Sequence, residues 1–271
     1  MTYGVRNAAT SGIDVSKPSV ARMYDWLLGG VENYAADRRE CEKLLQIAPN
    51  SRALAQNNRS FLRRVVRVLA QEYGVRQFID HGSGLPTQDN VHQIAQRVDK
   101  RSRVVYVDND PSVLAHGRAV LEENDNTLVL NADMRDTDRI FSHPEVRHLI
   151  DFTQPVAALF VSVLHCLPDR DRPGELVRQV AQRLPSGSFL VVCQLVSRRA
   201  DVRERVTELM RVATDDHWGR VREEHEVRSF FDGMQLLEPG LVDVTDWRPD
   251  SEVVPRAKTD EWVEWGGVAR L

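Results

Sequence analysis

The chain has 271 residues, of which 42% are hydrophobic and 28% charged, and its formal net charge at pH 7 is −4. This length and composition fit a globular protein built as one large domain or as one domain with an appendage. The negative charge excludes a basic surface extending over the whole chain, so nucleic acid is not expected as a partner.

Cysteine spacing and hydropathy indicate the cellular compartment in which the protein is expected. Cys41, Cys166 and Cys193 lie far apart and form no Cys-x-x-Cys pair, which argues against a disulfide framework or a zinc site. The longest apolar run, residues 156–164, is far shorter than the ~20 residues that span a bilayer. The N-terminus lacks the basic start and apolar core of a signal peptide. We therefore expect a cytoplasmic protein with no membrane contact.

The first part of the chain predicts an arm followed by helices. Residues 1–18 are polar and poorly patterned, which is typical of a flexible arm. Three helices are predicted next: one capped by Ser19 and stopped by Gly29-Gly30, one at about 34–46, and one at about 53–73. We expect residues 1–74 to form an N-terminal arm and helical cap, and residues 75–271 to form the main domain.

Strands and helices alternate along the middle of the chain. Strands are predicted at 75–80, 103–108, 127–131, 155–162 and 188–195. Helices are predicted at 89–99, 112–123 and 173–184, with shorter helical turns at 136–141 and after Pro144. Repeated strand–helix units predict a parallel sheet with helices on both faces.

The last third of the chain has a different pattern. Helices are predicted at 199–212 and 221–231. A strand, a turn and a second strand follow at 234–244, and an apolar strand at 263–269 is expected to pair at the sheet edge.

A glycine-rich turn, Gly82-Ser83-Gly84, follows the first predicted strand. Glycine allows a ligand to approach the backbone closely. The turn lacks the third glycine of the Gly-x-Gly-x-x-Gly fingerprint and carries Pro86 in that region, which weakens an interpretation as an NAD site. The alternative is a tight turn that binds nothing.

Two acids follow the next two strands. Asp108 ends one strand 26 residues after Gly82, near the spacing of a carboxylate that binds ribose hydroxyls. Asp133 comes just after the following strand, where a side chain can reach the base. Each acid has an alternative role, as a helix cap for Asp108 and as a turn residue for Asp133. Because open sheets bind ligands at the carboxyl ends of their strands, the three features together predict a nucleoside cofactor.

These segments resemble the motifs of class I S-adenosylmethionine-dependent methyltransferases. FIDHGSG resembles their first motif, VVYVDNDP the second and NADMRD the third, and the resemblance covers roughly residues 75–196. It implies a Rossmann-like, doubly wound α/β fold with a seven-stranded sheet, mostly parallel with a C-terminal antiparallel strand. It implies S-adenosyl-L-methionine as the cofactor, with Asp108 at the ribose, Asp133 at the adenine amino group and Met134 beside the ring. The other implied cofactor contacts are His81, Gly82, Ser83, Gly84, Asn109 and Ser162.

The N-terminal segments 21–38 and 49–64 resemble an actinobacterial S-adenosyl methyltransferase family once grouped as a domain of unknown function. We expect the Gly29-Gly30 pair to let this region cover the methionine end of the cofactor. The side chains predicted to bind that end or to line the acceptor pocket are Tyr24, Asn33, Arg59 and Arg63. The alternative is a simple joint between helices with solvated arginines.

The reacting centre is predicted after the fourth strand. His165 is the candidate general base, with a structural histidine as the alternative. Cys166 is expected to fill apolar space. The tryptophans Trp218, Trp247, Trp262 and Trp265 are candidates either for the wall of an acceptor pocket or for core anchors.

We therefore predict a methyltransferase that uses S-adenosylmethionine and acts on a small-molecule acceptor. Two other functions stay open from the sequence. One is an NAD-dependent oxidoreductase, and the other is a regulatory module that binds S-adenosylmethionine without turnover.

Overall fold

The structure, a computed structural model, describes residues 13–251, 258–259 and 261–271. Most of the predicted arm, residues 1–12, lies outside the described residues. The helices are α1 (Val20–Leu27), α2 (Ala35–Ile47), α3 (Ser51–Gln71), α4 (Val91–Val98), α5 (Pro111–Val120), α6 (Thr137–Ser142), α7 (Pro144–Leu149), α8 (Pro173–Arg183), α9 (Ala200–Ala213) and α10 (Glu224–Arg228). The strands are β1 (Gln77–His81), β2 (Arg103–Asp108), β3 (Thr127–Asn131), β4 (Ala157–Val161), β5 (Phe189–Val196), β6 (Gln235–Leu236), β7 (Val242–Asp243) and β8 (Val263–Arg270).

Within the described residues, eight strands form one sheet in the order β3-β2-β1-β4-β5-β8-β6, and β7 also pairs with β8. Strands β1 to β5 are parallel, and β8 is antiparallel to β5. The predicted Rossmann-like, mostly parallel fold with a C-terminal antiparallel strand is confirmed. The extra strand arises because segment 234–244 contributes two strands of two residues each, β6 and β7, and both pair with β8.

The helix predicted at 221–231 begins later than its apolar pattern suggests. The Arg222 N–H donates to the Leu195 carbonyl at 3.2 Å, and the Ser197 N–H donates to the Arg222 carbonyl at 3.2 Å. Because this pairing holds Arg222 in a bridge to β5, the helix starts only after the Glu223 cap. A 3-10 turn, Ser229–Phe231, then completes the segment.

Helices cover both faces of the sheet. On one face, α3 buries Phe61 and Leu69 against strand residues such as Val191. On the other, α6 and α8 bury Ile140 and Val177. Burial of each such side chain contributes about 1.5–3 kcal/mol to the hydrophobic term of stability.

The N-terminal helices are tied to the sheet edge by a buried arginine. Arg22 Nε donates to Asp37 at 2.9 Å, joining α1 to α2, and Arg22 Nη1 donates to the Ser112 hydroxyl at 3.0 Å. Ser19 also donates a hydrogen bond to Asp110. Because Asp110 and Ser112 begin α5, just beyond β2, these contacts hold α1 over the carboxyl ends of the strands.

Candidate active site

A cavity of about 460 Å³ lies where the strand order reverses, between β1 and β4. Its floor is formed by the loops at the carboxyl ends of the parallel strands, and α1 and α3 supply part of its wall. The reversal leaves a crevice because the connections from β1 and β4 run in opposite directions away from it. This is the usual ligand site of open α/β sheets.

The glycine turn after β1 brings bare backbone to this cavity. Gly82 and Gly84 have φ angles of 70° and 66°, in the left-handed region that favours glycine. A Cβ on Gly82 would lie 2.2 Å from Cγ2 of Val163, whereas a Cβ on Gly84 would meet nothing within 4 Å. The hydroxyl oxygen of Ser83 is buried and has no partner among the described residues. The turn therefore offers open space and an unsatisfied polar atom, which fit a polar ligand.

Asp108, at the end of β2, helps to shape the glycine turn. Its Oδ2 accepts the Gly84 N–H at 2.9 Å, and its Oδ1 accepts the Asp110 N–H at 2.9 Å. Burial raises the pKa of the Asp108 carboxyl, although these backbone hydrogen bonds oppose the rise. The carboxylate retains acceptor capacity, so Asp108 can also accept a hydrogen bond from a ligand hydroxyl.

Asp133, after β3, lies at the same edge of the sheet and lines the cavity with Asn109 and Met134. Arg135 Nε donates to Asp133 Oδ1 at 2.9 Å, and Arg135 Nη1 donates to Asp171 at 2.6 Å. Burial raises the pKa of Asp133, but the Arg135 hydrogen bonds outweigh it and lower the pKa overall. Asp133 is therefore ionised and held in place, as an acceptor for an amino group must be.

Two deeply buried acids line the cavity in addition to those singled out in the sequence. Burial raises the pKa of Asp80, on β1, to about 7, with Arg59 opposing the rise and Asp108 adding to it. Burial also raises the pKa of Glu264, on β8, to about 7. Glu264 accepts hydrogen bonds from the Ser162 hydroxyl and, at 3.0 Å, from the Cys193 thiol.

A polar chain links Glu264 to the N-terminal helices. The Cys193 thiol lies 3.4 Å from Oδ1 of Asn58, and Asn58 Nδ2 donates to the Tyr24 hydroxyl at 2.7 Å. Tyr24 in turn donates to the Ala55 carbonyl at 3.2 Å. The structure therefore places Tyr24 and Ser162 in the cavity wall and connects them through buried side chains.

Two of the residues predicted to bind the methionine end lie away from the cavity. Asn33 donates to Asp25 at 2.8 Å and to the Gly30 carbonyl at 3.0 Å, so its amide stabilises the bend after α1. A Cβ on Gly30 would overlap Asp25, which explains a glycine there without a ligand. Arg63 donates to Asp89 at 3.3 Å and is half-exposed. Arg59 does line the cavity.

The two histidines of the predicted site are both buried. His81 stacks on Phe160 with ring centroids 4.5 Å apart, and its side chain is fully buried in the sheet rather than in the cavity wall. His165 lines the cavity beside Trp218, with 4.8 Å between ring centroids. Burial lowers the pKa of each imidazole to about 3, and Arg222 adds to the effect at His165. His165 is thus a neutral hydrogen-bonding group and a weak base.

The tryptophans divide between the two roles considered for them. Trp218 and Trp262 line the cavity, while Trp247 is fully buried next to Phe61 and Trp265 packs against the sheet core. The thiol of Cys166 also faces the cavity, and burial raises its pKa well above its ordinary value. It is therefore protonated and not a nucleophile.

Comparison with known proteins decides the family. The family model described as S-adenosyl methyltransferase matches residues 6–271. The chain belongs to this S-adenosyl methyltransferase family. S-Adenosylmethionine is accordingly its cofactor and methyl transfer its reaction, which excludes the NAD-dependent oxidoreductase and the regulatory module without turnover.

Two solved structures share the whole fold of this methyltransferase. A DUF574 family protein from Streptomyces avermitilis is 36% identical, with 95% of this chain and 98% of that chain covered and a TM-score of 0.87. A protein from Thermobifida fusca YX, provisionally classed as a methyltransferase, is 39% identical, with 96% and 97% covered and a TM-score of 0.88. No curated protein matches the chain.

Among the described residues, no helix combines the length and the apolar character needed to cross a lipid bilayer. In the same part of the chain, no group of three or more histidine, cysteine or acidic side chains is arranged to hold a metal ion.

Sequence reasoning missed Asp80, Arg135 and Glu264. Asp80 stands inside the first motif, so its position next to the glycine turn was the available signal. Glu264 interrupts an apolar strand, but residue alternation alone would place such an acid on a solvated face. Only the pairing of β8 with β5, which sets Glu264 opposite Leu195, brings it to the cavity.

Proposed function

We propose that this methyltransferase modifies a small molecule, held in the half of the cavity that lies beyond β4. The observation that carries this proposal is the lining of that half. It is mostly apolar and comes from three separate helices, strand β5 and two tryptophans: Leu27, Leu54, Leu195, Met210, Trp218 and Trp262. The whole cavity, including the half proposed for the cofactor, has a volume of about 460 Å³, which is in the range of small-molecule sites. The negative net charge of the chain also disfavours nucleic acid as the acceptor.

The other half of the cavity is proposed to hold the cofactor. Asp108 would accept the ribose hydroxyls and Asp133 the adenine amino group, with Met134 against the ring. The glycine turn would lie along the ligand, with Ser83 donating its free hydroxyl hydrogen. The cavity contacts of Asn109 and Ser162 support the same assignment. Asn33, Arg63 and the His81 side chain are left out of it because of their positions.

S-Adenosylmethionine, when bound, supplies a methyl group already activated on a sulfonium. The chain's own contribution is then to position the acceptor and exclude water. The apolar side chains beyond β4 would exclude water from the acceptor. Tyr24 and Asn58, held in a buried hydrogen-bonded chain, would fix one wall of its pocket. His165 would offer the acceptor a hydrogen bond, since its Nδ1 has no partner among the described residues.

The proposal also assigns different roles to the two parts of the chain. Residues 1–74 would act as a cap over the catalytic domain at 75–271. The Arg22 contacts with Asp37 and Ser112 support this role, because they fix α1 above the strand ends. A cytoplasmic location would supply the cofactor and keep the three thiols reduced.

Label transfer tests the proposal. The protein is incubated with methyl-labelled S-adenosylmethionine and an extract of its source organism, and the mixture is separated by ultrafiltration. We expect the filtrate to contain a labelled small product that chromatography separates from unreacted S-adenosylmethionine, and heat-inactivated protein serves as the control. Label that stays with protein or nucleic acid, or no transfer above that control, contradicts a small-molecule acceptor.

A further inference from the structure

We propose that Glu264 binds the methyl acceptor through a cationic amine and accepts its proton, so that the protein is an N-methyltransferase of an apolar or aromatic amine. This inference rests on the proposed function, since it needs a small acceptor in the half of the cavity beyond β4.

Strand order places Glu264 on the acceptor side. The proposed ribose and adenine ligands, Asp108 and Asp133, follow β2 and β3. Glu264 is paired with Leu195 of β5, and β1 and β4 lie between the two groups. Because β8 is antiparallel, its beginning is level with the carboxyl ends of the other strands. Glu264 is therefore at the same edge as the cofactor acids but at the other end of the cavity.

Glu264 is built into the cavity wall and retains acceptor capacity. The residue is only 2% exposed and lines the cavity. Its hydrogen-bond partners in the described part of the chain are neutral donors, the Ser162 hydroxyl and the Cys193 thiol. One lone pair on each oxygen remains free for a ligand. An acid buried without a cationic partner is costly, and a cationic ligand would remove that cost.

The surroundings of Glu264 favour a cation over a neutral hydroxyl. The titratable groups that face it are Tyr24 from α1, Cys193 from β5, Cys166 after β4 and Asp243 from β7. Burial raises the pKa of the tyrosine and of both thiols, so all three are neutral. Asp243 adds negative charge, and α3 contributes the neutral Asn58 to the same chain of contacts.

The groups present account for every proton and electron pair in methyl transfer to an amine. A bound primary ammonium transfers one proton to the Glu264 carboxylate and becomes a neutral amine. The amine lone pair forms the new N–C bond, while the C–S bond breaks and its electron pair stays on sulfur. The product leaves as a secondary ammonium, and protonated Glu264 returns its proton to solvent. A carboxyl group whose pKa lies near 7 is matched to this exchange.

Binding of matched amines and alcohols tests the inference. The protein is saturated with S-adenosylhomocysteine and titrated calorimetrically with benzylamine, 2-phenylethylamine and tryptamine, and with the corresponding alcohols. We expect at least one amine to bind about tenfold tighter than its alcohol near pH 8, where Glu264 is ionised. This preference should fall towards about pH 6, because protonation removes the charge of the carboxylate, while alcohol binding stays level.

A conservative substitution tests whether Glu264 causes the preference for amines over alcohols. Glu264→Gln keeps the size of the side chain and should abolish the amine preference while leaving S-adenosylhomocysteine affinity within about twofold. Glu145→Gln, at an exposed position on α7, is the matched control and should keep the preference. If Glu264→Gln does not fold, the pH dependence of amine binding is measured in Asp80→Asn, which removes the other cavity acid with a pKa near 7. A preference for amines that still falls towards about pH 6 in this variant supports Glu264, and a preference that no longer depends on pH contradicts it.

The outcomes separate this inference from the function on which it rests. Equal affinity for amines and alcohols, failure of every amine to bind, or an amine preference that survives Glu264→Gln overturns the amine assignment while label transfer to small molecules still stands. Label transfer only to macromolecules overturns the proposed function itself.

Discussion

Ser162 and Glu264 are 102 residues apart in sequence, yet the Ser162 hydroxyl donates a hydrogen bond to Oε1 of Glu264 at the cavity. Ser162 follows β4, and Glu264 lies on β8, so β5 separates the strands from which they come. Ser162 has a backbone φ of 58°, which is rare for a residue with a side chain. The hydrogen bond joins the end of the parallel sheet to the C-terminal antiparallel strand at the cavity wall.

The two glycines of the turn after β1 are expected to respond differently to alanine. Each alanine variant should lose about 1–2 kcal/mol of stability because the backbone at both positions is left-handed. In Gly82→Ala the new methyl group also clashes with Val163. Gly82→Ala should therefore unfold at clearly lower denaturant concentration than Gly84→Ala. In Gly84→Ala the methyl group projects into open space, so S-adenosylhomocysteine affinity should fall about tenfold or more with modest loss of stability. Denaturant unfolding and calorimetry measure both effects; equal stability of the two variants would contradict this account of the turn.

Asp108→Asn should weaken cofactor binding. Loss of a charged hydrogen-bond acceptor costs about 1.5–3 kcal/mol, which corresponds to roughly a 10- to 100-fold rise in the Kd for S-adenosylhomocysteine. The exposed Asp125→Asn is the control and should bind as the unmodified protein does. An unchanged Kd for Asp108→Asn would remove Asp108 from the cofactor site.

His81→Phe should stabilise the protein in acid without affecting cofactor affinity. Burial lowers the pKa of His81 from 6.5 to about 3, so the unfolded chain binds a proton that the folded chain excludes. The contribution of His81 to the free energy of unfolding therefore decreases as the pH falls from about 6.5 towards 3, and at about pH 4.5 it has lost on the order of 3 kcal/mol. Phenylalanine keeps the stacking on Phe160 and does not titrate. Urea unfolding at about pH 7 and pH 4.5 measures the difference, and a variant as sensitive to acid as the unmodified protein would contradict it.

Asp80 is expected to change the stability with pH in the direction opposite to that of His81. Its pKa is raised from 3.8 to about 7, so the folded protein binds a proton that the unfolded chain has already released. The stabilisation from this proton is complete below about pH 4 and is lost as the pH rises through about 7, a change on the order of 4 kcal/mol. Asp80→Asn should make this part of the stability profile of the ligand-free protein less steep, and the slope that remains is the contribution of Glu264, whose pKa is also raised to about 7. The exposed Asp125→Asn should leave the profile unchanged, and an Asp80→Asn profile as steep as that of the unmodified protein would contradict the assignment to Asp80.

Sequence patterns predicted the features that depend on neighbouring residues. The strand ends, the glycine turn and the acids Asp108 and Asp133 each follow from a local run of apolar residues and its stop. Their joint position also follows, because parallel strands share one carboxyl edge. The clustering of Tyr24, Asn58 and Glu264 could not be found in this way, since it depends on how α1, α3 and β8 pack. Likewise, Asn33 stands in an unusual motif, but its hydrogen bond to Asp25 is a matter of local packing.

A crystal structure with S-adenosylhomocysteine would show where the nucleoside binds. We expect the ribose hydroxyls on Asp108, the adenine amino group near Asp133, and the sulfur directed towards the apolar half of the cavity beyond β4. A nucleoside bound anywhere else, or one bound here with its sulfur turned away from Glu264 and Trp218, would contradict it.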